Sequence, residues 1–300
     1  MEIIEEKVLI DGEVKLGATI SRPHDDTKHP VVLLIMGTGK TDRDGNQKGF
    51  KSNIYNPVIK KYDTLRGYGY WVWKPYLIWK TLESLPDDST LLYCDAGCHL
   101  NPRGRKKLLK YYDELSIDRF GIKAFPVFSL FYPNPERYWT KGDLMSHFSC
   151  RERHDITESS QIEATHILFR KNNFTLSFVR QWYQFFSTDF SLIDDSPSKS
   201  ENMNGFREHR HDQSVFSLLF KVHGCIPFES GDTIPYIGKN PIWGCRDKGL
   251  QKIHFTTRLQ QYIKAHIKFK LFKLHQAFPR QTARLISILK KIQQKKLFQP

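Results

Sequence analysis

The sequence predicts an α/β layered domain, and three stretches carry that expectation. Val31 to Ile35 is a short apolar run closed by Gly37 and Gly39, which fits a buried strand running into a turn. Beyond Arg105 helical text, KKLLKYYDELS, gives way to strand-like text, GIKAFPVFSLF, the alternation of an α/β layer. QIEATHILFRKNNFTLSFVRQWYQFF then reads as a strand, a polar turn and an amphipathic helix, with Gln161 and Glu163 at the start of the strand.

Composition agrees with a folded chain. With 300 residues, 39% hydrophobic, 26% charged and 13% aromatic, the protein can bury a sizeable core, and disordered, collagen-like and simple coiled-coil classes are excluded. The acidic start, MEIIEEKVLIDGE, is unlike an export signal, and no long uncharged apolar run occurs, so a cytoplasmic location is expected. Cys94, Cys98, Cys150, Cys225 and Cys245 are odd in number and scattered, which does not make a disulfide framework. The C-x3-C spacing of Cys94 and Cys98 lacks a second pair, which disfavours structural zinc.

The formal charge of +14 raises nucleic acid as a partner, but its distribution argues against one. Residues 251–300 hold twelve of the 46 Lys and Arg and none of the 32 Asp and Glu, leaving 34 basic against 32 acidic residues in the rest. Within that tail, Ile267, Phe269, Leu271, Phe272 and Leu274 lie among lysines before Pro279. Ala283, Leu285, Ile286, Leu289 and Ile292 then recur three or four apart, as in an amphipathic helix. A basic rim on an apolar face suits an anionic membrane surface, each near-surface Lys or Arg contributing about 1 kcal/mol. Packing of the same helix on the body, with a solvated basic face, is the alternative.

Taken in order, the motifs differ in weight. GTGKT tempts toward a phosphate loop, yet that pattern needs a glycine at position 34, which is Leu34. In LRGYGYWVWKPYLIWK, aromatic rings suited to stacking on a base or sugar alternate with Arg66 and Lys74, which can pair with phosphate; an ordinary core is the competing reading. Pro75 fits the first turn of a following helix. Thr90 to Tyr93 form a short strand with Asp95 at its end, where an α/β layer opens toward its ligand crevice. A carboxylate there can hold a hard divalent cation whose other ligands are diphosphate oxygens and water. IDDSPSKSENMNG is a polar loop free to move. The cluster Glu208, His209, His211, Asp212 invites a metal reading, but H-x-H-D lacks the spacing of a hydrolytic zinc site, and Asp212 also suits a helix start.

Together, RGYGYWVWKPYLI, LLYCDAGCHLNPRG, WTKGDL, QIEATHILFRK and FREHRHDQSVFSLL resemble, in the same order, a family of bacterial nucleotide-sugar glycosyltransferases of surface polysaccharide synthesis. The resemblance implies a GT-A-like single α/β domain with a mostly parallel central sheet, divided into an atypical strand-loop segment (1–58), a catalytic region (59–250) and the basic helical tail (251–300). It implies transfer of a sugar from a nucleotide-sugar donor to a hydroxyl of a glycan or lipid-linked acceptor. Donor binding would fall on Arg66, Tyr70, Trp73, Lys74 and Asp95, with Mn2+ or Mg2+ at Asp95. Gly97 stands where many relatives of the fold carry the second acid of a D-x-D motif. Asp212 and Gln213 would lie near the transferred sugar and acceptor; an inverting reaction would use Asp212 or His211 as its base, with Asp212 the first candidate, whereas a retaining reaction needs none. A peripheral position on the inner face of the cell membrane follows.

The N-terminal part departs from that family. GEVKLGATISRPHDDTKHPVVLLIMGTGKTDRDGN resembles the opening of bacterial α/β-hydrolases, with Met36 in place of the histidine of the oxyanion loop. No G-x-S-x-G occurs, so the serine elbow of a hydrolase is absent. The competing function is a hydrolase-derived or catalytically impaired chain acting as a basic membrane-binding adaptor.

Overall fold

The computed structural model describes residues 3–10, 16–23, 31–35, 67–95, 98–127, 134–229 and 239–244, with scattered positions between 263 and 287. Strands β1 (Ile3–Ile10) and β2 (Leu16–Pro23) form an antiparallel hairpin, with Ile10 opposite Leu16. The central sheet takes β3 (Val31–Ile35), β4 (Thr90–Asp95), β7 (Ile162–Arg170) and β6 (Ile122–Pro126), in that spatial order. A small antiparallel pair, β5 (Cys98–Leu100) with β8 (Ile242–Gly244), stands apart from it.

The expected mostly parallel sheet is instead mixed. The β3–β4 pair is parallel, with Ile35 opposite Asp95, while β7 runs against both β4 and β6. The reason lies in the connection after β6. Residues 127–161 leave and return at the same end of the sheet, where Val127 N donates to Gln161 O at 2.7 Å and Pro126 faces Ile162. A chain that re-enters where it left must run backward, whereas a parallel entry needs a crossover to the far end.

Period-two alternation gives the sheet two covered faces. Leu91 and Tyr93 point to a large core built with helices α1 (Trp73–Ser84), α3 (Asn173–Thr188) and α4 (His211–Val222). Leu92 and Cys94 point to a smaller core with Tyr111 and Leu115 of α2 (Arg105–Ser116), Phe228 and Ile242. Pro75 does sit in the first turn of α1, and Asn172 caps α3 by accepting from Thr175 N at 2.8 Å.

One irregularity matters for the site. Ala124 of β6 faces Ile167 while Pro126 faces Ile162, so β7 bulges between those positions. The bulge reverses the alternation: Ile162 and Ala164 share the large core with Ile167 and Phe169, while Leu168 faces the small one.

The loop at 193–204 is pinned rather than free. Lys141 Nζ donates to Asp194 O and Ser196 O at 3.1 and 3.3 Å, Gly142 N to Asn202 Oδ1 at 2.7 Å, and Asp143 accepts from Lys199 N and Ser200 N. In the tail, Ile263, Ile267 and Leu274 are helical and, with Phe278, exposed.

Candidate active site

Lys74, Asp95 and Asp212, remote in sequence, meet at the end of β4. Lys74 belongs to the first turn of α1, Asp95 is the last residue of β4, and Asp212 is the second residue of α4. Lys74 Nζ lies 2.8 Å from Asp212 Oδ2 and 3.5 Å from Asp95 Oδ1, and donates to Ala164 O at 3.2 Å. The lysine and Asp212 side chains are 5% and 6% exposed, whereas Asp95 is 32% exposed. Burial alone would lower the lysine pKa; Asp212 and Asp95 outweigh it and hold the ammonium above its ordinary range. Burial pushes the Asp212 carboxyl up, against the pull of Lys74.

Asp95 is oriented from within its own strand. Tyr93, two residues earlier and therefore on the same face, donates its hydroxyl to Asp95 Oδ1 at 2.6 Å. Tyr93 is wholly buried, and burial followed by the Asp95 charge raises its pKa well above normal, so it stays a donor.

Two supports position Asp212. Trp182 Nε1 donates to the Asp212 carbonyl at 3.1 Å. A buried network holds the rest of α4: Gln213 Nε2 donates to Gln161 Oε1 at 2.6 Å, and Gln161 Nε2 to Ser214 Oγ at 3.2 Å and Glu136 Oε1 at 3.0 Å. Glu136, fully buried, is neutralised by Lys221 at 2.7 Å and accepts from the Ser217 hydroxyl. The β7 bulge joins in, since Ala164 N points to Gln213 Oε1 at 3.5 Å while its carbonyl holds Lys74.

Backbone strain gathers at the starts of the two helices that deliver Lys74 and Asp212. Tyr70, Trp71 and His211 have φ of 53°, 66° and 48°, in the left-handed region that costs a non-glycine residue roughly 1–2 kcal/mol. Their rings pack together, Tyr70 on His211 at 4.6 Å and Trp71 on His211 at 5.7 Å between centroids. His211 Nδ1 lies 2.7 Å from the Ile193 carbonyl and Nε2 3.5 Å from Asp195 Oδ1, which fixes the ring. Such strain persists where surrounding structure imposes it, as at functional sites.

Of the residues singled out from sequence, Lys74, Asp95 and Asp212 come together, with His211 adjacent and Tyr70 packed on it. Trp73 is wholly buried in the large core and presents no face to a ligand. Arg66 and Gly97 lie outside the described residues, as does the GTGKT loop. His209 is buried, accepts from Lys141 N at 3.3 Å through Nδ1, and is held well below the usual histidine range by burial. Glu208 instead pairs with Arg210 at 3.8 Å, and among the described residues no group of three or more His, Cys, Asp or Glu could hold a metal. Tyr93 was legible from the strand's alternation; the Glu136–Gln161–Gln213 network was not, since its members are ordinary polar residues whose meeting depends on tertiary packing.

No protein-family model and no curated protein sequence matches the chain. Among solved structures, the apo crystal structure of mouse xyloside xylosyltransferase 1 is similar over 59% of this chain, at 10% identity and a TM-score of 0.32, and the chain spans 60% of that one. At that score no shared fold follows, and the functional reading rests on the side chains of the Lys74–Asp95–Asp212 cluster.

Proposed function

We propose that the protein is a nucleotide-sugar-dependent glycosyltransferase acting on a glycan or lipid-linked acceptor in bacterial surface polysaccharide synthesis. The meeting of Asp95, Lys74 and Asp212 at the end of β4 carries this reading.

The residues are compatible with a divalent cation. Asp95 Oδ1 is taken by Tyr93 and Lys74, while Oδ2 has no partner among the described residues, so one hard oxygen ligand is left uncommitted. Mn2+ and Mg2+ commonly take one or two carboxylates and complete their shell from phosphates and water. Bound there, such an ion would neutralise the departing nucleoside diphosphate. Lys74 adds a second positive charge on the same side. Asp212 takes the proton of the attacking acceptor hydroxyl, and the Lys74 ion pair sets how basic it is. A diphosphate that draws the ammonium away strips Asp212 of its counterion, so donor binding raises the strength of the base.

The test is release of nucleoside diphosphate from a panel of nucleotide sugars, with Mn2+ or Mg2+ and an EDTA control. Asp95→Ala and Asp212→Asn should each lower turnover of the accepted donor by about 10²–10³-fold or more. Folded wild-type protein that neither binds nor turns over any donor would overturn the reading and favour the adaptor.

The tail supplies a location for a lipid-linked acceptor. Ile263, Ile267, Leu274 and Phe278 are exposed at helical spacing, in a segment whose charged residues are all basic. Among the described residues no helix is long and apolar enough to cross a membrane, so contact would be peripheral. Vesicles containing phosphatidylserine should bind the protein and release it as salt rises, while neutral phosphatidylcholine vesicles should not. Equal binding to both would remove the electrostatic basis of the proposal.

A further inference from the structure

On the opposite face of the sheet from Asp95, a second cluster brings together a thiol, an imidazole and a carboxylate. Cys98 Sγ, at the start of β5, lies 3.1 Å from His166 Nε2, and His166 Nδ1 lies 3.2 Å from Glu163 Oε1. Glu163 and His166 are three apart on one strand, which would ordinarily put them on opposite faces; the β7 bulge turns them to the same one. His166 is 1% exposed, with the edge of Phe125 6.2 Å from its ring centre to centre, so its orientation is fixed from several sides. Burial alone would lower its pKa; Glu163 and Cys98 outweigh burial and hold it at about 10.

This is the order of a nucleophile, a base and a group that orients the base. Cys98 differs from the other cysteines described. Cys94, Cys150 and Cys225 are buried, and burial pushes their thiols up, Cys225 to about 12. Cys98 is only half-buried. Acyl chemistry would also need donors aimed at a developing oxyanion. Reaction with a peroxide needs only a nucleophilic sulfur, a proton donor and access for a small molecule.

We propose that Cys98 is a peroxide-reactive thiol, activated by His166 and oriented through it by Glu163. Its sulfur attacks one peroxide oxygen, so an S–O bond forms and the O–O bond breaks. Sulfur gives up two electrons and the peroxide is reduced. The proton shared between Sγ and Nε2 ends on the departing hydroxide, which leaves as water, and Cys98 becomes a sulfenic acid. The chemistry is independent of the transferase reading, because its readout is the modified sulfur itself.

The full chain is treated with hydrogen peroxide in the presence of dimedone, which traps sulfenic acids, and each cysteine peptide is followed by mass. Cys98 should be labelled at least about tenfold faster than Cys150 or Cys225 in native protein, and this selectivity should vanish in guanidinium. His166→Asn should slow Cys98 labelling about tenfold or more, and Glu163→Gln, at a partly exposed position less apt to disturb folding, by a smaller factor. The proposal is overturned if Cys98 in folded wild type reacts no faster than the buried cysteines, or if folded Glu163→Gln and His166→Asn protein both keep its rate.

Discussion

The two faces of the central sheet use one bulge in β7 for opposite purposes. On one face the Ala164 carbonyl helps hold Lys74 between two carboxylates, and the centre of the cluster is a cation with three oxygen partners. On the other face Glu163 and His166 converge on the sulfur of a half-buried cysteine that contacts the imidazole. The first arrangement is saturated at its centre and open only at Asp95. The second leaves its nucleophile at the edge. A displaced register therefore does more than bend a strand: it turns the Ala164 amide and carbonyl to Gln213 and Lys74 and re-aims two side chains to the other face.

The largest expected effect that separates the faces comes from removing the central cation. Lys74→Met leaves Asp212 buried with its charge uncompensated, which typically costs about 3–5 kcal/mol when a buried pair loses one partner. Asp95, being more exposed, can be hydrated and should contribute less to that loss. The urea midpoint at neutral pH should fall accordingly. Asp212→Asn in the same chain should restore most of the loss, because the unpaired charge is then gone. A double variant as unstable as Lys74→Met alone would mean that the lysine acts through packing of its stem and not through the carboxylates.

Part of this was open to inspection in the sequence. The layered α/β class, the strand ending at Asp95, the helix after Pro75 and a helix starting near Asp212 all follow from local periodicity and punctuation. The meeting of Lys74, Asp95 and Asp212 was accessible only through the resemblance among motifs, since no local pattern joins residues so far apart. The direction of β7 was hidden, because an apolar run does not announce which way it enters a sheet. The Cys98–His166–Glu163 cluster was hidden more deeply. An i, i+3 pair on a strand reads as pointing to opposite faces, and only the bulge, a property of the β6–β7 pairing, makes it a pair. The burial of Trp73 was hidden for the converse reason: an aromatic residue in a basic stretch has the same appearance whether its ring meets a sugar or a core.

A smaller and opposite effect should sharpen the contrast from the thiol side. The folded-state pKa of His166, about 10, lies above the ordinary value of 6.5, so its protonated form stabilises the fold. That contribution is complete below about pH 6.5 and is lost as pH rises through about 10. The groups that set it are Glu163 on the same strand and Cys98 on β5. Removing the carboxylate in Glu163→Gln should cost about 2 kcal/mol near pH 6.5, the usual range for a hydrogen bond to a charged group. The cost should shrink steadily toward pH 10, where wild-type His166 is itself losing its proton. Measuring urea midpoints of both proteins across that interval isolates the Glu163–His166–Cys98 cluster, because titrations outside it are common to the two chains and cancel in the difference. A difference that stayed constant or grew with pH would show that Glu163 supports β7 by packing, and that the imidazolium is not what the carboxylate holds.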